Sequence, residues 1–425
     1  MSRLSLACGL ILVALAIPWT AATEGGDGTS YNWPTWRGPN RDAVSAETGL
    51  LREWGQDGPP LQWEAHGLGE GYSSISIASG RIYTMGRRRG ETFLIALDVE
   101  DGKELWATPV AGRNPNCTPT VDGNFVYALG RGGELICADA KTGRPAWRKS
   151  FREDFGGKMM SHWGYSESPL VDGDRLICTP GAPDAVMAAL DKKTGRILWK
   201  SGLPEPGQQG KDGAGYSSIV VSEACGVRQY VQLTGRGLIS VSAKDGTFLW
   251  SYHRIANRTA NISTPLIDGD YVFCSTGYGT GAALLHLVPD GAGIKAEEVY
   301  FLNAKQMQNH HGGMVRVGEH IYCGHGHNQG FPLCIEMKTG KVAWRGGRGP
   351  GRGSAAVLHA EGRLYFRYQD GVMALIETTP DEYRLKGSFT IASNNGKHWP
   401  HPVIAGKRLH LRDQDTLLCY NIARN

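Results

Sequence analysis

Asp98-Val99-Glu100-Asp101-Gly102-Lys103-Glu104-Leu105-Trp106 is followed at the same internal spacing by Asp139, Gly143 and Trp147, and again by Asp191, Gly195 and Trp199. The spacing returns as Ser242, Gly246, Trp250 and as Glu336, Gly340, Trp344. Self-similarity of this kind marks a repeat architecture. Ahead of each copy stands an apolar run, a tight turn and a second apolar run, as in Val121-Asp122-Gly123-Asn124-Phe125-Val126-Tyr127. Asp-Gly between apolar runs is a strong hairpin signal, and it recurs at Asp172-Gly173 and Asp268-Gly269. Gly80, Gly226, Gly318, Gly362 and Gly406 mark the same turn in units of other wording.

Counted by these turns the chain holds eight units of about 40 to 50 residues, the size of a four-stranded propeller blade. The fold class expected is therefore all-β: an eight-bladed β-propeller of four-stranded antiparallel blades. The eighth unit runs through Leu417-Leu418-Cys419-Tyr420 and is one strand short, whereas Leu61-Gln62-Trp63 has no blade of its own. Pairing the two closes the ring by N-terminal strand pairing with the last blade and removes its free edges. Residues 61–425 are read as the propeller and 23–60 as a lead segment.

Composition agrees: 59 Gly, 21 Pro, 12 Trp and 16 Tyr among 425 residues suit many short strands and tight turns. Lys and Arg exceed Asp and Glu by 45 against 41, a net +4 without a basic stripe, so nucleic acid is not an expected partner. Arg3, the apolar run Leu4 to Ile17 and the small residues Thr20, Ala21 and Ala22 read as a cleaved signal peptide over residues 1–22. The run is shorter than the ~20 residues that span a bilayer. A periplasmic or secreted protein follows, with no transmembrane segment in the mature chain and a monomer as the expected state. The eight later cysteines permit disulfides, but most sit inside apolar strand patterns and no pairing is fixed.

The Asp-x-x-x-Gly-x-x-x-Trp unit resembles the repeat of the pyrroloquinoline-quinone (PQQ) propeller family, and Trp33-Pro34-Thr35-Trp36-Arg37-Gly38-Pro39 is similar to the start of many exported members. That family includes PQQ-dependent dehydrogenases and also non-catalytic scaffolds resembling the outer-membrane assembly lipoprotein. The resemblance thus implies the fold and leaves two activities open.

In such a blade the short Asp-Gly turns lie at one rim and the longer loops feed the other. The longer loops hold most histidines and several aromatic and arginine residues, so the ligand-binding candidates are Tyr72, Ser73, His162, Trp163, Tyr216, Arg236, His311, His327, Arg352, His398, Trp399 and Asp413. Tyr72-Ser73-Ser74 and Tyr216-Ser217-Ser218 repeat at matching positions, with Tyr165-Ser166 a looser third. His310, His311, His325 and His327 with His398 and His401 offer imidazole nitrogens to a metal, but their spacing matches no strong metal motif. A PQQ enzyme with Ca would draw its carboxylates from Asp413 and Asp415, its cation from Arg236 or Arg352 and its stacking surface from Trp163 or Trp399. Against it stand the missing adjacent Cys-Cys pair and haem-attachment motif. No serine elbow, phosphate loop or zinc-protease motif replaces them. The preferred expectation is a non-catalytic scaffold for a protein or glycan partner in the cell envelope; the alternative is a quinoprotein dehydrogenase oxidising alcohols or sugars.

Overall fold

The computed structural model describes residues 32–424 other than Ala292, Asn394 and Asn395, so the signal-peptide expectation over 1–22 lies outside the described residues. Eight blades, each a four-stranded antiparallel sheet, follow one another around an axis, and the first seven run outward in chain order through a hairpin, a loop and a second hairpin. The second blade, Thr120–Asp122, Phe125–Leu129, Glu134–Asp139 and Pro145–Ser150, is representative. Its middle strands are almost wholly buried because both faces of a blade press on neighbours.

The ring closes as the sequence suggests. Leu61–Ala65 forms the outer strand of the last blade, with Leu61 opposite Tyr420 and Ala65 opposite Leu417. The outer strand of every blade carries a β-bulge, and in six blades the bulge sits just before the repeat tryptophan, between Pro145 and Trp147 or between Ile197 and Trp199 for example. The closing strand has the same bulge between Leu61 and Trp63, which makes Trp63 the tryptophan of the eighth repeat. A bulge re-aims the side chain that follows it, here toward the next blade.

The spacing of the repeat then has a simple cause. Gly143 has φ +75°, and a Cβ there would lie 2.5 Å from the ring of Trp106 in the preceding blade. Trp147 lies over Gly195, Trp199 over Gly246 and Trp63 over Gly102 in the same way. These four Trp therefore each lie on the glycine of the following repeat, and the Asp caps that glycine's turn: the Asp139 carboxylate accepts from Lys141 N and Thr142 N.

Three details add to the sequence reading. The turn rim is not uniformly short, because in the fifth blade Gly281–Asp290 and Gly293–Asn303 run to 10 and 11 residues. The stretch called a lead segment is built into the disc: Trp33 bridges Ile77, and Val44–Ser45 adds a parallel edge to the seventh blade at His359 and Ala360. The eight described cysteines are all free, seven of them buried as small apolar side chains. Among the described residues no helix is long and apolar enough to cross a membrane.

Candidate functional site

The repeated Tyr-Ser pairs divide their work. Ser74 N donates to Thr118 Oγ1 (3.2 Å), Thr118 N to Ser168 Oγ (3.0 Å), Ser168 N to Ser218 Oγ (3.0 Å) and Ser218 N to Thr264 Oγ1 (3.3 Å), while Ser74 Oγ donates to the His401 carbonyl (2.8 Å). This belt of hydroxyls ties the approaches to the innermost strands of the eighth and the first five blades to one another around the axis. Ser73 and Ser217 are also buried and bind their own blades, accepting from Met85 N and Leu233 N at 3.2 Å. Ser73, a predicted ligand contact, is thus a structural residue. The tyrosines stand above the belt: Tyr72 and Tyr216 face the axial funnel. Tyr165 instead turns inward, donating to the Pro180 carbonyl and packing on Phe151.

The funnel has a floor, and residues 33–43 supply it. Pro34 O accepts from Val121 N, Thr35 Oγ1 meets Thr120 Oγ1 at 3.1 Å, and Arg41 donates to Thr35 Oγ1, Ser168 O and Pro169 O. Arg37 donates to Met314 O and Asp42 O. The segment therefore reaches the inner strands or their approaches in the first, second, third, sixth and seventh blades, and so sits across the axis as a plug. Trp36 and Arg37 face upward into the cavity.

That cavity has a volume of about 290 Å³. Trp36, Tyr72, Trp163, Tyr216, Tyr278 and Trp399 line it, together with His310, His311, His327 and His401. The rings form a continuous surface: Trp36 to His401 at 4.4 Å, Tyr72 to Trp399 at 4.6 Å, His311 to Trp399 at 4.7 Å and His310 to His327 at 4.2 Å. Arg37, Arg131 and Lys397 add positive charge, and no Asp or Glu belongs to the lining. Burial holds the histidines neutral, pushing His310 and His401 down to about 3 and His311 well below the usual imidazole range. His401 donates from Nε2 to the His311 carbonyl at 3.4 Å, which fixes its tautomer. His310 is held between the Ser354 hydroxyl (2.7 Å) and the Tyr278 hydroxyl (3.1 Å).

Of the predicted contacts, Tyr72, Trp163, Tyr216, His311, His327 and Trp399 converge in this funnel. His162 is exposed and stacks on Trp163 at 5.2 Å beside it. The others lie outside the funnel. Arg236 clamps its own loop, donating to Asp212 at 2.7 Å and to the carbonyls of Gly207 and Gln209. Arg352 lies in a separate groove with Arg348 and Asp370. His398 and Asp413 are buried behind the wall, 3.2 Å apart, and Asp413 also accepts from Ser393. Asp415 caps the amides of Gly67 and Gly69. The polar loops that carry these residues fold back on themselves, and a linear sequence does not reveal which way a loop side chain turns. The residues missed are Trp36 and Arg37, Arg131 and Lys397. The density of Trp and Arg in Trp33-Pro34-Thr35-Trp36-Arg37 was the available signal. No group of three or more His, Cys, Asp or Glu is placed to hold a metal among the described residues.

Eight four-stranded blades with repeat tryptophans on repeat glycines define a PQQ-like β-propeller. The chain belongs, more narrowly, to the family described as outer membrane protein assembly factor BamB, whose model matches residues 90–345. It is 22% identical to outer membrane protein assembly factor BamB of Shewanella oneidensis over 275 residues, which cover 61% of this chain and 64% of the relative, less than two thirds of its length. Among solved structures it is similar to BamB of Moraxella catarrhalis, with a TM-score of 0.61 and 13% identity over 86% of this chain and 98% of that one. It is also similar to the quinohemoprotein alcohol dehydrogenase of Comamonas testosteroni, with a TM-score of 0.62 and 13% identity over 93% of this chain and 81% of that one. At such identities the structural likeness concerns the fold alone.

Proposed function

We propose that this chain is a non-catalytic scaffold of the cell envelope whose funnel rim docks a protein partner, exported by a signal peptide over residues 1–22 and acting, as the names of its relatives suggest, in outer membrane protein assembly. The observation that carries the reading is Trp163, 39% exposed, standing edge-on to Trp399 at 6.3 Å at the mouth of the funnel. Among the described residues it is the one tryptophan exposed to this degree, and exposed tryptophans at the edge of a desolvated pocket are common anchors of protein interfaces. The family match favours a protein over a glycan. The dehydrogenase reading keeps its stacking tryptophans but loses its charged candidates: Asp413, Asp415 and Arg236 serve other contacts, Arg352 lies in a separate groove, and none of the four lines the funnel.

The test is capture of a partner from envelope extract by the purified protein, repeated with Trp163→Ala, Trp399→Ala and, on the turn rim, Asn124→Ala. Loss of the same partner with both tryptophan variants and its retention with Asn124→Ala are expected; retention by all three removes the funnel rim from the proposal. Titration with PQQ and Ca²⁺ is the second arm. Saturable binding with dye-linked oxidation of an alcohol or sugar would overturn the scaffold reading.

A further inference from the structure

We propose that a groove leading outward from the funnel mouth over the sixth and seventh blades is a docking site for an extended acidic segment of the partner protein, with Arg348 and Arg352 as its cationic contacts. The proposal rests on the reading that the funnel rim docks a protein. The groove has a volume of about 890 Å³ and meets the funnel along Asn328, Gln369 and Lys397, which line both. Its outer wall is the stretch Gly346 to Gly353 that joins the two blades, where Arg348 and Arg352 stand among five glycines.

The backbone of this loop is anchored, and its arginines are not. A Cβ on Gly349 or Gly351 would lie 2.3 Å from the Tyr368 side chain, and one on Gly353 would lie 2.7 Å from Gln369, so the loop is pressed flat on the seventh blade. Gly349 N donates to the Gly346 carbonyl and Asp370 N to the Arg352 carbonyl, both at 3.3 Å. Arg348 and Arg352 are exposed, and among the described residues neither guanidinium has a hydrogen-bond or ion-pair partner. Other arginines of this rim are engaged: Arg88 on Glu104 at 2.6 Å, Arg131 on the Trp163 carbonyl at 2.5 Å and Arg236 on Asp212 at 2.7 Å. Asp370 is the one acid of the groove lining, against Arg348, Arg352 and Lys397, and its Oδ1 accepts from Val372 N of its own turn.

The occupant's chemistry follows from its surroundings. Two unengaged guanidinium forks on a fixed loop match carboxylates by charge-assisted hydrogen bonds, and a positive patch on one partner is complemented by a negative one on the other. An open groove of about 890 Å³ suits a length of chain better than a compact anion. Asn328 and Gln369 have their amide oxygens engaged, by Ser354 and Trp399, which leaves their amide nitrogens as donors to peptide carbonyls. A bilayer fits the groove less well, because none of the exposed large apolar side chains lies in it to enter the lipid.

The experiment is fluorescence anisotropy of the full-length protein with a labelled decapeptide of alternating glutamate and serine, beside its glutamine counterpart. Saturable binding of the acidic peptide is expected, with the glutamine peptide weaker by about ten-fold or more, and the affinity should fall as salt is raised. Arg348→Glu combined with Arg352→Glu should weaken the acidic peptide by about ten-fold or more. Arg144→Glu combined with Arg196→Glu, at two exposed positions on the turn rim, makes the same change in net charge and should leave the affinity within about two-fold of the parent. Equal weakening by the two pairs, equal affinity for the two peptides, or no saturable binding overturns the proposal. So does binding to vesicles of phosphatidylcholine and phosphatidylglycerol in equal parts that replaces peptide binding and is lost with Arg348→Glu and Arg352→Glu. Partner capture that survives this pair but not Trp163→Ala overturns the groove and keeps the rim. A selective peptide effect with capture indifferent to the tryptophans keeps the groove and overturns the rim, so the two ideas fail separately.

Discussion

The outer seam and the axis of this disc are built on opposite plans. Along the outer seam one contact, a tryptophan lying on the glycine of the following repeat, is used again and again, from Trp63 on Gly102 to Trp199 on Gly246. At the axis the backbone belt from Ser74 to Thr264 is regular, but the side chains above it differ from blade to blade: Tyr72, Trp163, Tyr216, His311, Trp399. Repetition therefore supplies the frame, and the residues that break repetition supply the chemistry.

The largest expected effect separates the two regions by pH. Burial lowers His310 and His401 at the axis to about 3, so below pH 6.5 the unfolded chain takes up protons that the folded chain does not. Their contribution is fully present above pH 6.5 and is lost as pH falls toward 3. Each is worth on the order of 1.4 kcal/mol per pH unit across that window, and His410, lowered to about 3 between blades, adds a third such group. Glu167 works the other way. Its burial raises it to about 7, so the folded chain holds an extra proton between pH 4.5 and 7 and gains stability as pH falls through that range. The histidines outnumber it, and guanidinium midpoints at pH 7.5 and pH 5 should show a loss of several kcal/mol at the lower pH. Equal midpoints would mean the axis is wetter than described. Glu167→Gln should steepen the loss by removing the one opposing group.

Next in size, Gly143→Val tests the seam, since it combines a left-handed backbone with a Cβ 2.5 Å from Trp106. About 3 kcal/mol of destabilisation is expected by denaturant titration; a cost near zero would show that the tryptophan is free to move away. Trp63→Ala should cost about 2 kcal/mol, less than a fully buried aromatic because the ring is partly exposed. The useful comparison is with Trp147→Ala, its counterpart on Gly195. Similar losses would confirm that the closing strand is energetically an ordinary outer strand, whereas a much larger loss for Trp63→Ala would mean the ring opens. Smallest of all is Trp163→Ala at the funnel mouth, expected within about 0.5 kcal/mol of the parent. A loss well beyond that would assign Trp163 to the frame and take it from the partner surface.

These contrasts also explain what could be read from the chain alone. Trp106, Trp147 and Trp199 announce themselves because they recur at one spacing, and Trp63 could be placed because the last blade lacked the strand it offers. Tyr72 and Tyr216 were found by the same route, since their loops repeat. Repetition could not say that Ser73 would turn inward while Tyr72 faced the funnel, because adjacent side chains in one loop have no sequence mark of direction. Asp413 and His398 looked like loop residues open to a ligand, and long-range packing buries them behind the wall. Arg37 was hardest to recognise, because the plug has no period and its seats lie in blades as distant as Met314.

The clasp at Leu61–Ala65 and the plug at residues 33–43 are among the earliest parts of the described chain to be synthesised, yet the clasp's seat, Leu417 to Tyr420, is made last. Until the final hairpin emerges, the early strand has no partner and the unfinished ring exposes sheet edges at both ends. Pairing across more than 350 positions is highly non-local, and non-local pairing slows folding. Ring closure is therefore the step expected to come late in folding, with the unclosed disc the form most open to mispairing with a neighbour.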